Sequence, residues 1–326
     1  LAHIFQNRKN MHRYLMLYLF PLFAVITYTV VRHAGFGFEK DPGHWVMEPF
    51  YKDHTSYGAV LAMYFPVLVG LLLQKRFNPL LKAFLIIGLG ILTVGIILSY
   101  TRAAWVSLAG AAVLGGLMML RVRLRTLLLT LVAAGSFLYV AQDDLVIMLE
   151  KNQQDSSDDL AEHVESISNV SSDASNLERL NRWNSALAMF EERPLVGWGP
   201  GTYQFVYAPF QKSQDLTIIS TNNADGGNAH SEYLGPLAEQ GVPGIIMMVL
   251  LVWMVSQMAF RLFYTLNDRE LRILVLTSYL GLMTYFTHGI LNNYLDTDKA
   301  SAPFWGFIGI LVAIDIFHRQ SEKSLN

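Results

Sequence analysis

Apolar residues along this chain gather into eight runs of about 17–20 residues, near 13–32, 56–73, 82–100, 103–120, 125–141, 243–261, 272–290 and 302–317. A helix rises about 1.5 Å per residue, so each run is long enough to cross the ~30 Å hydrocarbon core of a bilayer. Pro66 and many glycines lie inside these runs, which membrane helices tolerate better than soluble ones. The first run is too long for a secretory signal and lacks a small-residue cleavage site. No internal repeat and no heptad pattern interrupts the series. The pattern predicts an all-α fold: a polytopic membrane helix bundle of about eight spans.

Charge orients the bundle. Arg8, Lys9 and Arg13 precede the first run; Lys75, Arg76 and Lys82 fill the turn 74–82; Arg121, Arg123 and Arg125 fill the next connection on that side. Arg261, Arg269 and Arg272 lie between runs six and seven, with Arg319 and Lys323 in the tail. Fourteen of the 24 Lys and Arg thus fall in short segments on one side, against ten facing 22 Asp and Glu on the other. The positive-inside rule makes the first side cytoplasmic, places both ends of this chain there, and turns 142–242 toward the periplasm. Three segments follow: 1–141, five spans with short loops; 142–242, a large periplasmic loop carrying the candidate site; and 243–326, three spans and a cytoplasmic tail.

Composition agrees and excludes several chemistries. Hydrophobic residues make up 52% and charged residues 15%, against the ~25% charge usual in soluble chains. With zero cysteines there is no disulfide framework, thiolate zinc site, iron–sulfur cluster or cysteine nucleophile. A start at Leu1 rather than Met reads as a fragment lacking an N-terminal part.

Within 142–242 the first part is acidic and serine-rich, a composition expected to be partly mobile. Ser175 followed by Glu178 forms a capping-box pattern ahead of a helix over 177–192, which Pro194 ends. A second helix is predicted over 229–240, with Asn228 as its N-cap, stopping at Gly241 before Pro243. These helices form a periplasmic cap.

The candidate chemistry lies on that side. Arg102, in SYTRAAW, sits at a tight junction near the hydrocarbon boundary, where a guanidinium points to a cavity, partner or ligand, or snorkels to headgroups. Arg179 and Arg182 lie three apart on one helix face, able together to grip a phosphate; for Arg179 the favoured reading is a surface ion pair with Glu178, Glu191 or Glu192. His230 falls in the first turn of the second predicted helix, where the dipole favours the neutral imidazole that a general base needs. His54, Glu232 and Asp296 are candidate substrate contacts; Asp298 accompanies Asp296 in NNYLDTDK, and His288 reads as a helix-packing histidine. His230-Ala-Glu232 has no second histidine at ligand spacing, so no metal is expected. The segment 197–201, GWGPG, reads as a turn whose N–H groups can face an anion.

Five segments taken in order resemble the O-antigen ligase superfamily: PFYKDHTSYGAVLA (49–62), SYTRAAW (99–105), RWNSALAMFEERPLVGWGPGTY (182–203), NAHSEYLGPLAEQGVPG (228–244) and NNYLDTDKASAPFWGFIGI (292–310). That superfamily comprises membrane glycosyltransferases: O-antigen ligases, polysaccharide polymerases and protein O-oligosaccharyltransferases. Members have about twelve spans, so this chain matches their C-terminal two-thirds. The resemblance implies inverting transfer of a glycan from an undecaprenyl (polyprenyl) diphosphate carrier to an acceptor hydroxyl, with no cofactor, metal or nucleotide sugar. The acceptor would be a glycolipid such as lipid A–core, a glycan or a protein, at the periplasmic face of a bacterial inner membrane. It implies diphosphate binding by Arg102 and Arg182 and a general base at His230. The bilayer is a partner and nucleic acid is not. A transporter or flippase is the reading from another class, but its paired broken helices and mid-membrane charges do not stand out here.

Overall fold

The computed structural model describes residues 1–140, 174–213, 216, 220 and 227–318. The acidic serine-rich stretch and the basic tail residues Arg319 and Lys323 lie outside them. Among the described residues the fold is all-helical, with no strand.

All eight apolar runs form helices. They are α1 (Arg8–Ala34), α2 (His54–Leu72), α3 (Pro79–Leu98), α4 (Arg102–Met119) and α5 (Leu124–Val140). After α6 (Ala174–Glu192) come α7 (Leu234–Thr265), α8 (Arg269–His288) and α9 (Asp298–Ala313). Six of these, α1–α4, α7 and α9 with its continuation to His318, are long and apolar enough to cross a membrane. Helix α5 has only 17 residues. Helix α8 is diluted by hydroxyls and by Arg269, Glu270 and Arg272 in its first turn.

The chain divides into two compact units. One comprises Leu1–Arg121, Ser231–Tyr233 and Ile246–Asn326; the other comprises Val122–His230 and Leu234–Ile245.

In the first unit α2 and α8 form the core, α8 packing on α2 and α4, and α2 on α3 and α4. Helix α2 is apolar on every face and buried along most of its length, as an all-round apolar helix must be. Lipid tails are as apolar as leucine, so close packing rather than apolar burial holds such helices together. Glycines permit it. A Cβ at Gly70 would lie 2.5 Å from Thr277 Oγ1, and one at Gly281 2.6 Å from the Met63 carbonyl oxygen. Several hydroxyls on α8 are satisfied locally, Thr277 donating to the Ile273 carbonyl at 2.9 Å and Tyr279 to Ser256 Oγ at 2.9 Å, whereas Ser278 Oγ is buried with no partner among the described residues.

In the second unit Ala186, Met189, Tyr203, Tyr207, Ala229 and Ala238 make a small core joining α6, the turn Tyr203–Val206 and the start of α7. The predicted capping box is not formed. Helix α6 starts at Ala174, which puts Ser175 inside it, and Glu178 turns forward to Arg182 instead of back to the helix start. The predicted stop at Gly241 is a kink: Gly241 adopts φ 66°, ψ −152°, the Val242 N–H donates to the Pro194 carbonyl at 2.8 Å, and the helix resumes with Pro243 in its first turn.

Candidate functional site

The SYTR junction is built tightly. Asp53 caps α2, accepting from the Ser56 N–H at 2.7 Å, so that His54 opens the helix. Thr101 Oγ1 donates to the His54 carbonyl at 2.9 Å, and Gly58 leaves room for it, since a Cβ there would meet that oxygen at 2.7 Å. Tyr100 carries a left-handed φ of 49°, rare for an aromatic residue, and its hydroxyl donates to the Phe38 carbonyl at 3.0 Å. Arg102 then begins α4, exposed. The His54 ring lies 4.4 Å from that of His44. Two sequence candidates, His54 and Arg102, are thus held at adjoining helix starts in the first unit.

The carboxylate of Glu232 is in the same unit but is committed to architecture. Its Oε1 accepts from the Tyr294 N–H at 2.8 Å, the Leu295 N–H at 2.9 Å and the Tyr285 hydroxyl, while its backbone N–H donates to the Gly289 carbonyl at 2.8 Å. Burial pushes its pKa up; the three hydrogen bonds oppose this, and the exposed Asp296 adds to the rise. His288 is the buried last residue of α8, its Nε2 3.1 Å from Asn292 Nδ2, so it packs as expected.

The second unit holds Arg182. Its guanidinium is 5% exposed, donates from Nε to Glu178 Oε1 at 2.6 Å and lies 4.1 Å above the Tyr207 ring. Glu178 also accepts from Ser220 Oγ and, at 3.4 Å, from Asn181 Nδ2. Burial alone would raise the Glu178 pKa, but these hydrogen bonds and the Arg182 charge bring it below the ordinary carboxylate value. Arg182 Nη1 is buried without a hydrogen-bond partner among the described residues. Gly227 lies directly against it: a Cβ there would sit 1.8 Å from Nη1. The loop holding His230 therefore wraps this cation, and Trp183 Nε1 donates to the His230 carbonyl at 3.3 Å. Arg179 is half-buried on the same helix.

The placement of His230 corrects the sequence reading. Helix α7 starts at Leu234, so His230 lies four residues ahead of it with φ 48°. Asn228 is not a helix N-cap; its Oδ1 accepts the His230 N–H at 3.0 Å. This local Asx-type bond competes with helix initiation, and the helix dipole does not govern the imidazole.

The GWGPG turn does face an anion, one the sequence reading missed. Glu239 accepts from the Gly201 N–H at 2.8 Å and the Tyr203 N–H at 3.0 Å, and its carbonyl accepts from Gly199 at 2.7 Å. Gly197, Gly199 and Gly201 all have positive φ, and a Cβ at Gly197 would strike the Glu239 backbone at 2.3 Å. Glu178, Gly227 and Glu239 are the residues whose roles emerge only here. Only the i,i+4 spacing of Glu178 and Arg182 was visible beforehand.

Helices throughout the described residues, six of them long and apolar enough to cross a bilayer, define a multi-pass membrane protein. A model of the O-antigen ligase family matches residues 83–249, just over half of the 326. The chain belongs to that family, whose chemistry is glycan transfer of the O-antigen ligase or polymerase kind. The match includes the segments 99–105, 182–203 and 228–244 and leaves 49–62 and 292–310 outside it. No curated protein matches the chain.

Proposed function

We propose that this protein transfers a glycan from a polyprenyl diphosphate carrier to an acceptor hydroxyl at the periplasmic face of the inner membrane, with inversion at the anomeric carbon. In this reading the hydroxyl oxygen attacks the anomeric carbon, the bond to the diphosphate oxygen breaks, and the hydroxyl proton passes to His230. Diphosphate leaves as an anion, so its developing charge must be neutralised; Arg182 and Arg102 supply guanidinium groups for this. The observation that supports the reading best is Arg182 Nη1, buried with no hydrogen-bond partner among the described residues and lying against Gly227, inside the family-matching region. Glu178 and Tyr207 hold the cation in one orientation, and Gly227, which carries no side chain, lies against its Nη1 edge. His54 and Asp296 remain candidate substrate contacts, whereas Glu232 acts through the loop it anchors. Ligation to lipid A–core is the favoured outcome, with polymerisation or protein glycosylation as the alternatives.

Purified full-length chain supplied with carrier-linked glycan and candidate acceptors tests this. A positioned base contributes about 10²–10⁴-fold, so His230→Ala should lose transfer by that factor while keeping its helical content. Wild-type rates in His230→Ala remove the base, and sizing the products separates ligation from polymerisation.

A further inference from the structure

A cavity of about 980 Å³ lies within the first unit, among α2, α3, α4, α7 and α8. This is at the upper end of the ~300–1,000 Å³ usual for ligand sites. Helices α3 and α4 each pack on α2, and all three line the cavity. Its walls are hydrocarbon, with Val69, Ile97, Leu108, Phe263 and Leu276 representative of the five flanking helices. Trp105 closes one end. At the other stand Arg121, Arg269 and Arg272, with Tyr264 beside them. Trp105 and Arg121 bracket most of α4, so the cavity is roughly 24 Å long at the helical rise, more than half of a bilayer core.

Among the described residues none of the three arginine side chains makes a hydrogen bond or ion pair. Two carboxylates at that end are engaged elsewhere, Asp268 with Arg8 at 2.6 Å and Asp315 with Arg261 at 2.6 Å, and Glu270, beside Arg269 in the first turn of α8, makes no ion pair among the described residues. Arg121 is also held by its backbone, in a left-handed conformation just past α4 with its N–H donating to the Met118 carbonyl. A long hydrocarbon slot ending in three guanidinium groups is complementary to an amphiphile with an extended chain and an anionic phosphate head.

We propose that this cavity binds an anionic phospholipid, an acyl chain lying along α2 and α8 and the phosphate at Arg121, Arg269 and Arg272. None of Arg102, Arg182 and His230 lines the cavity, and the proposal does not depend on glycan transfer.

Native mass spectrometry of the full chain in neutral detergent, titrated with phosphatidylglycerol or phosphatidylcholine of equal chain length, tests it. Phosphatidylglycerol should be retained better by about fivefold for each arginine that meets its head, on the order of a hundredfold for all three. The triple variant R121Q/R269Q/R272Q should lose that preference. Ala112→Phe, which fills the apolar wall without touching the arginines, should weaken retention of both lipids. If the triple variant does not fold, Arg269→Gln alone, at an exposed position, should still cost about fivefold. Equal retention of the two lipids by the wild type overturns the proposal, as does an unchanged preference in the arginine variants. So does binding of a polyprenyl phosphate that phosphatidylglycerol fails to displace.

Discussion

Arg182 and Glu178 are 7% and 6% exposed at their side chains, and a buried pair of this kind is expensive to break from one side. Glu178→Gln should therefore cost about 3–5 kcal/mol, read as a fall in the unfolding midpoint, because it leaves the guanidinium buried and uncompensated. Acid should act through the same residue. Its pKa is lower folded than unfolded, so its stabilisation is complete above the ordinary value of 4.5 and disappears as pH falls through the folded value. Glu232 has the opposite sign: its raised pKa means that the folded protein holds the proton more tightly, and its cost grows as pH rises above 4.5. Stability measured against pH should thus lose part of its acid-side decline in Glu178→Gln, Asp268 keeping the rest, and gain at neutral pH in Glu232→Gln if the amide keeps the Tyr294 and Leu295 bonds. Unchanged profiles in both variants would contradict these assignments.

Helices meet where glycine lets them. Gly281 faces the Met63 backbone, so Gly281→Ala must push α2 and α8 apart at about 1–3 kcal/mol. Gly90 and Gly110, where a Cβ meets nothing within 4 Å, should accept alanine and gain a few tenths of a kcal/mol or more from helix propensity. Thermal unfolding of the three variants in one detergent separates the two effects; equal midpoints would refute the close crossing. Element existence was readable in the sequence because a bilayer demands long apolar runs, and each run became a helix. Element ends were less readable. At Ala174 and Leu234 the deciding bonds, Glu178 to Arg182 and Asn228 to the His230 N–H, are local choices between competing partners.

For the molecule as a whole, the distribution of basic residues sets a testable orientation. A chain with no cysteine accepts single reporters without background. Asp41→Cys and Asp296→Cys should react with an impermeant maleimide applied from outside, and Lys75→Cys and Asn267→Cys only after permeabilisation. Labelling in the reverse sense would invert the topology and move Arg102 and His230 to the wrong side for a periplasmic acceptor.

The sequence alone determined that the chain is helical and membrane-embedded, and which segments carry family character, because hydrocarbon thickness and charge asymmetry act on composition and spacing. It also marked Arg182 and His230 as residues of interest. Only the tertiary structure decided how they are held: that Arg182 is buried against Glu178, Tyr207 and Gly227, that His230 stands in a strained loop rather than a helix, and that Glu239 fills the glycine turn. Those contacts join residues separated by up to 45 positions, and no periodicity records which of several carboxylates or glycines will meet a given cation once the chain has folded.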